Sequence, residues 1–290
     1  MRTLGHLGRP ATVAALPHAV LFRAIPNAPH EDVLAPWPYG SAPDTDALPE
    51  AFARLRDGGA VTFTGILRPD ARIDAEAARR AGFATVPLKR HFIVDGARDL
   101  PAFSRKTRRN LAIAARHWAI AVTAPTPEQA EEAARLHTSL QRRRALSAMT
   151  RMPADHFRRL AGVPGIAVVT ARDAEGIGGM LVAARDAGET HLLHILLDER
   201  ALRTCASYLL MASAIELWGR DGRLYLGGAP AGPDGPGIAR FKARWANRTA
   251  PVSLLTAVLR EDVYRDLSSR HAATPYFPAY RSPEGEERPA

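Results

Sequence analysis

The sequence predicts an α/β (α+β) protein, a mixed β-sheet flanked by helices, and three observations carry that expectation. "GIAVVTA", "GGMLVAARD" and "THLLHILLD" are consecutive strand-like segments divided by turn residues, the pattern of an antiparallel meander. An apolar helix from about Thr204 to Gly219 follows and leads to the strand-like "RLYLGG", so it must cross from one strand to another. "TPEQAEEAARLHTSLQRRR" opens with Thr126 as N-cap, Pro127 at the first helical position and Gln129 closing a capping box.

The elements follow in chain order. The first forty residues are proline-rich and read as irregular, ending in "APWPYGSAP". "TDALPEAFARLRDGG" reads as a short amphipathic helix closed by Gly58 and Gly59. "AVTFTGIL" has the alternation and β-branching of a strand, "RIDAEAARRAGF" reads as a helix and "LKRHFIVDG" as a second strand. In "LPAFSRKTRRNLAIAARHWAIAV" a helical period puts Leu111, Ala114, Ala115 and Trp118 on one face and Arg105, Arg109 and Arg116 roughly opposite. No acid offsets that basic stripe between Arg105 and Arg116. The capping-box helix, a short "PADHFRRLAG" helix, the meander, the crossing helix and "RLYLGG" come next. A glycine- and proline-rich loop, a short helix and the strand "PVSLLTAVL" precede a loop-like tail.

Composition narrows the class. With 290 residues and 46% hydrophobic content, the chain can fill one large domain or two small ones. The single cysteine, Cys205, excludes an internal disulfide and fits a reducing cytoplasm. The N-terminus lacks an apolar signal region, and the longest charge-free apolar run, Thr204 to Ile215, is too short to span a bilayer. A soluble cytoplasmic protein is expected. The net charge of +9 suits anionic partners, although arginine is abundant throughout. Lysine is not: Lys89, Lys106 and Lys242 are the only three, and a compact ammonium has chemistry that a guanidinium lacks.

Several chemistries find little support. The ten histidines are scattered, His191 and His194 are expected on opposite faces of a strand, and neither CxxC nor HExxH occurs, so no metal site is expected. There is no G-x-S-x-G, and Cys205, in an apolar helix, reads as an inert buried thiol. "LGGAPAGPDGPG" lacks G-x-G-x-x-G spacing, and its prolines remove the amide donors of a phosphate cradle. It reads instead as a functional loop that positions the segment behind it.

The stretch from "GGMLVAARD" through "RLYLGG", followed by the glycine-containing loop and "ARFKARWAN", resembles the GNAT acyltransferase superfamily. More narrowly it resembles the Fem-type branch, the aminoacyl-tRNA-dependent peptidyltransferases. "PWPYGSAP", "FSRKTRRNLAIAARHWAIAV" and "YFPAYR" are similar to that branch as well, so the resemblance covers most of the chain after about residue 35. It implies a GNAT-like catalytic domain over residues 97–280 and a second, abbreviated GNAT-like acceptor lobe over residues 1–96. The tail, residues 281–290, is expected to be disordered.

The resemblance also implies an activity: an aminoacyltransferase moving an amino acid from aminoacyl-tRNA to the amine of a peptide or peptidyl small molecule. The acceptor is a cell-wall precursor or a peptide natural product; no coiled-coil arm is present, and the acceptor lobe is short. Lys242 and Phe241 match the catalytic positions. Arg105, Lys106, Arg108, Arg109, Arg142, Arg143 and Arg144, with Tyr39, Gly228 and Arg244, are the expected substrate or tRNA contacts. Charged tRNA is a co-substrate and no cofactor is implied. The alternative is an acyl-CoA-dependent GNAT N-acyltransferase. Against CoA, "DERALRTCASY" has no glycine where CoA-binding members carry [QR]-x-x-G-x-[GA], though Arg200 and Arg203 remain as side-chain phosphate ligands. No side-chain general base stands out, and a monomer without membrane insertion is expected.

Overall fold

The structure, a computed structural model, describes residues 8–35, 43–143, 152–230, 235–271 and 276–282. In chain order the early elements are β1 (Arg9–Ala11), β2 (Val20–Ala24), β3 (Glu31–Leu34), α1 (Leu48–Asp57), β4 (Ala60–Ile66), α2 (Ala75–Arg80) and β5 (Phe83–Asp95). Then come α3 (Arg105–His117), β6 (Ala119–Thr123), α4 (Pro127–Arg143), α5 (Ala154–Ala161), β7 (Ile166–Asp173), β8 (Gly176–Asp186) and β9 (Glu189–Leu197). The last are α6 (Glu199–Arg203), α7 (Ala206–Trp218), β10 (Arg223–Gly227), α8 (Gly235–Ala243), β11 (Arg248–Val258) and α9 (Glu261–Ser268).

The chain folds as two compact units, Met1–Lys89 with Pro251–Ala290, and Arg90–Ala250. Compactness thus places the boundaries at 89/90 and 250/251, against the 96/97 and 280/281 expected from sequence. The reason is β11, whose residues Leu254 to Val258 pair antiparallel with Ile66 to Thr62 of β4 and carry the C-terminal segment into the first unit.

In that unit β1, β2 and β3 pair antiparallel and β3 lies parallel to β4. These strands occupy a stretch expected to be irregular. Val20, Leu21 and Phe22 are all buried, so no apolar–polar alternation marks β2, and the surrounding prolines read as punctuation. Leu48, Ala51 and Leu55 of α1 pack with Phe63, Phe83 and Leu255. Asp32, 1% exposed, accepts from Arg23 Nε at 2.9 Å and from Arg281 Nε, while Tyr280 and Thr62 share a 2.7 Å hydroxyl contact. Burial pushes the Tyr280 hydroxyl upward and Asp32 adds to it. Arg281 and Ser282, expected to begin the disordered tail, are therefore anchored; residues 283–290 lie outside the described residues.

The second unit has the strand order β5-β10-β9-β8-β7-β6. β7, β8 and β9 form the expected antiparallel meander, and α7 crosses to β10, which lies parallel to β9. The capping box of α4 is reciprocal: Gln129 N donates to Thr126 Oγ1 at 3.2 Å, and Thr126 N to Gln129 Oε1 at 3.0 Å. On one face of the sheet, Ala114 and Trp118 of α3 and Leu210, Met211 and Ala214 of α7 pack over Val169, Leu181 and Leu224. On the other, Leu136 of α4 and Phe157 and Leu160 of α5 cover Val168, Met180 and Val182.

Two expectations change here. The β8–β9 register shifts so that Val182 opposes His194 while Ala183 opposes Leu192, which leaves Leu193 as an extra residue. This bulge puts His191, opposite Ala184, and His194, opposite Val182, on the same face, where an uninterrupted strand would have separated them. Cys205 is half-buried rather than buried. It takes a left-handed φ of 60° and delays the start of α7 to Ala206, behind the short α6 that the sequence did not announce.

Candidate active site

β9 and β10 are parallel but pair over only three positions, Arg223↔Glu189, Leu224↔Thr190 and Tyr225↔His191. β9 then continues along β8 to Leu197, while β10 turns to β5, Gly227 opposing Phe92. The strands part after Tyr225 and open a crevice at their carboxyl ends, the place where α/β sheets take ligands.

α8 carries Lys242 to this crevice. Its Nζ donates to the carbonyl oxygen of Gly228 at 2.6 Å, just past the end of β10. Gly227 beside it holds φ 74°, and a Cβ there would lie 3.4 Å from Nζ. The other side of α8 is anchored by aromatic packing: Phe241 meets Tyr208 edge-on at 5.4 Å and Trp245 at 6.0 Å. Arg244 Nη1 donates to the Tyr208 hydroxyl. Phe241 is thus half-buried in the core packing that orients Lys242.

The remaining expected residues divide into three groups. Arg105, Lys106, Arg108 and Arg109 are exposed on the first turns of α3, with Ser104 as N-cap accepting from Thr107 N at 3.1 Å. Phe103, just ahead of that cap, packs on Trp245 at 5.3 Å and so links the basic turn to the segment behind Lys242. Arg143 is committed elsewhere: its Nη2 donates to Leu197 O at 2.6 Å, closing the end of β9, while Arg142 is exposed. Tyr39 and Arg144 lie outside the described residues. Gly228 contributes its carbonyl, and Arg244 serves Tyr208.

Arg200, the alternative phosphate ligand, is engaged by acids. Its Nη1 reaches both oxygens of Asp173 at 2.7 Å and its Nη2 reaches Asp198 at 3.2 Å. Burial works against its charge, but these carboxylates outweigh burial and hold the guanidinium above its ordinary value. Arg203 faces Glu199 at 3.5 Å.

Sequence reasoning missed Tyr208, whose partner Arg244 is distant in the chain, and a titratable group on β9 and β10. There Tyr225 OH donates to Glu189 Oε1 at 3.1 Å, and His191 stacks on Tyr225 at 4.5 Å and 7°. On the same face His194 sits among His156 at 5.6 Å, Phe157 at 5.3 Å and His137 at 6.3 Å. Burial, then His156 and His137, push the His194 imidazole down to about 3. Among the described residues no group of three or more His, Cys, Asp or Glu is placed to hold a metal ion. No helix among them is long and apolar enough to cross a membrane.

The sequence matches no protein-family profile, and no curated protein matches it. Solved structures do share the fold. FemX superposes with a TM-score of 0.62 at 13% identity, over 91% of this chain and 91% of that one. L-PGS from Bacillus licheniformis gives 0.58 at 17%, over 92% and 90%. The C-terminal domain of a putative lysylphosphatidylglycerol synthetase from Agrobacterium fabrum gives 0.58 at 14%, over 84% and 81%. The chain has the α/β, GNAT-like fold of these proteins, a mixed sheet flanked by helices.

Proposed function

We propose that the chain is an aminoacyltransferase that forms an amide bond, moving an amino acid from aminoacyl-tRNA to the amine of a peptide or peptidyl small molecule. The observation that carries this reading is Lys242 Nζ, held 2.6 Å from Gly228 O at the mouth of the β9/β10 crevice. The attacking amine converts the ester carbonyl into a tetrahedral oxyanion, and an ammonium fixed in direction by a backbone carbonyl is suited to stabilise it. Such a donor is worth on the order of 2.7–4 kcal/mol of barrier, about 10²–10³ in kcat.

The start of α3 supports a polyanionic donor. Arg105 and Lys106 occupy the positive end of the helix dipole, where cations are unfavourable by roughly 0.3–1 kcal/mol each, and no acid stands in the first turn. Elsewhere helix arginines carry acidic partners, as Arg54 does with Glu50, Arg159 with Asp155 and Arg220 with Glu216. An uncompensated basic turn joined through Phe103 to the Lys242 segment fits the phosphates of a tRNA acceptor end. Two of the fold's representatives are lysylphosphatidylglycerol synthetases or L-PGS by name, which accords with transfer of an aminoacyl group. A charged-tRNA donor puts the reaction in the cytoplasm and requires no cofactor.

Mixed charged tRNAs incubated with a panel of peptide amines, read by mass spectrometry, test the reading. Product is expected, and RNase pretreatment abolishes it; product that survives RNase overturns the tRNA assignment. The second reading, an acyl-CoA-dependent N-acyltransferase, draws on the N-terminus of α7, which has no side-chain cap. Tight calorimetric binding of CoA would favour it.

A further inference from the structure

Aminolysis of an ester leaves a proton to be moved, and Lys242, already cationic, cannot take it. Resting on the aminoacyl-transfer reading, we propose that His191 accepts the proton of the attacking amine and returns it to the leaving oxygen.

The position is the first ground. Tyr225↔His191 is the last pairing before β9 and β10 part, so His191 stands at the base of the crevice whose rim holds Lys242. The support around the imidazole is the second. Its ring lies flat on Tyr225, its Nε2 is 3.9 Å from Glu189 Oε2, and the Tyr225 hydroxyl holds the other carboxylate oxygen at 3.1 Å. A carboxylate fixed beside an imidazole stabilises the imidazolium that forms when the proton arrives. Accessibility is the third: the His191 side chain is 16% exposed, enough to meet a substrate while keeping a fixed orientation.

The charged groups around it are few. Glu189 comes from its own strand, and Tyr225 and Arg223 come from β10, the Arg223 Nη1 lying 3.9 Å from Glu189 Oε1. The cross-strand partner on β8, Ala184, brings no charge. His194, on the same face, has no carboxylate in this role and is held neutral by burial, so the two β9 histidines are set apart by their surroundings.

The step balances. The acceptor nitrogen bonds to the ester carbonyl carbon as its proton passes to the imidazole, and Lys242 steadies the oxyanion. Collapse breaks the carbon–oxygen bond to the tRNA ribose, and the imidazolium protonates that oxygen. The products are an amide and a free hydroxyl, with His191 neutral again.

The test measures kcat, KM and their pH profiles for wild type, His191→Ala, His191→Gln and Tyr225→Phe in the charged-tRNA transfer assay, with circular dichroism melts to establish folding. His191→Ala is expected to lower kcat about 10²–10⁴-fold with KM little changed. It should also erase the acidic limb of the pH profile, and added imidazole should restore part of the rate. Tyr225→Phe is expected to shift that limb while leaving transfer measurable. A folded His191→Gln protein with wild-type kcat and an unchanged acidic limb overturns the inference alone. A wild-type protein that transfers from no charged tRNA overturns the functional reading, and this inference with it.

Discussion

Replacing His194 by glutamine is expected to remove an acid-induced loss of stability. In the folded chain burial, His156 and His137 hold its pKa down to about 3, whereas an unfolded histidine titrates at its ordinary value of 6.5. Below that value the unfolded state binds a proton that the folded state does not, so stability rises with pH in this range and falls as pH drops from 6.5 toward 3. Each pH unit is worth about 1.4 kcal/mol, so the folded state loses roughly 2 kcal/mol between pH 8 and pH 5 from this residue. That corresponds to ~4–8 °C in Tm for a chain of this size class. The rings around His194 leave room for no counter-ion among the described contacts: two imidazoles and Phe157 surround it. Thermal melts of wild type and His194→Gln at pH 8, 7, 6 and 5 check this. The two curves should diverge toward pH 5, wild type losing more; parallel curves would refute the reasoning.

Three further outcomes are expected. Gly227→Ala forces a side chain onto φ 74° and against Lys242 Nζ, a backbone cost of about 1–2 kcal/mol, and activity should fall more than stability, read by transfer rate beside Tm. Asp32→Asn leaves the buried Arg23 and Arg281 without their carboxylate and should cost about 3–5 kcal/mol in urea unfolding, with transfer by the folded fraction retained. Replacing Arg105, Lys106 and Arg109 by glutamine should weaken tRNA binding and flatten its salt dependence by about two to three in slope, measured by filter binding at several salt concentrations.

What was legible in the sequence followed from local chemistry. The reciprocal bonds of Thr126 and Gln129 depend on three residues of spacing, and they form where the capping box predicts. The β7–β9 meander was legible because its turns are short and its strands consecutive. The features that escaped are set by distant partners. β2 buries both faces and shows no period, and the Leu193 bulge exists only in the register between β8 and β9, which no local pattern of β9 encodes. The same holds for Tyr208 with Arg244, and for β11, whose pairing with β4 joins the chain's end to its beginning. At the site, the rarity of Lys242 and its place behind a glycine loop directed attention to it. The histidine at the crevice base escaped because its partner, Tyr225, lies on a different strand.

The most direct test of the central claim is the single-turnover rate of aminoacyl transfer from pre-charged tRNA at saturating acceptor, for wild type, Lys242→Ala and Lys242→Arg. The account predicts a fall of about 10²–10³ for the alanine variant with tRNA affinity retained, and a sharp fall for arginine, whose planar fork cannot take the ammonium's place at Gly228 O. Transfer at the wild-type rate by a folded Lys242→Ala protein would contradict it.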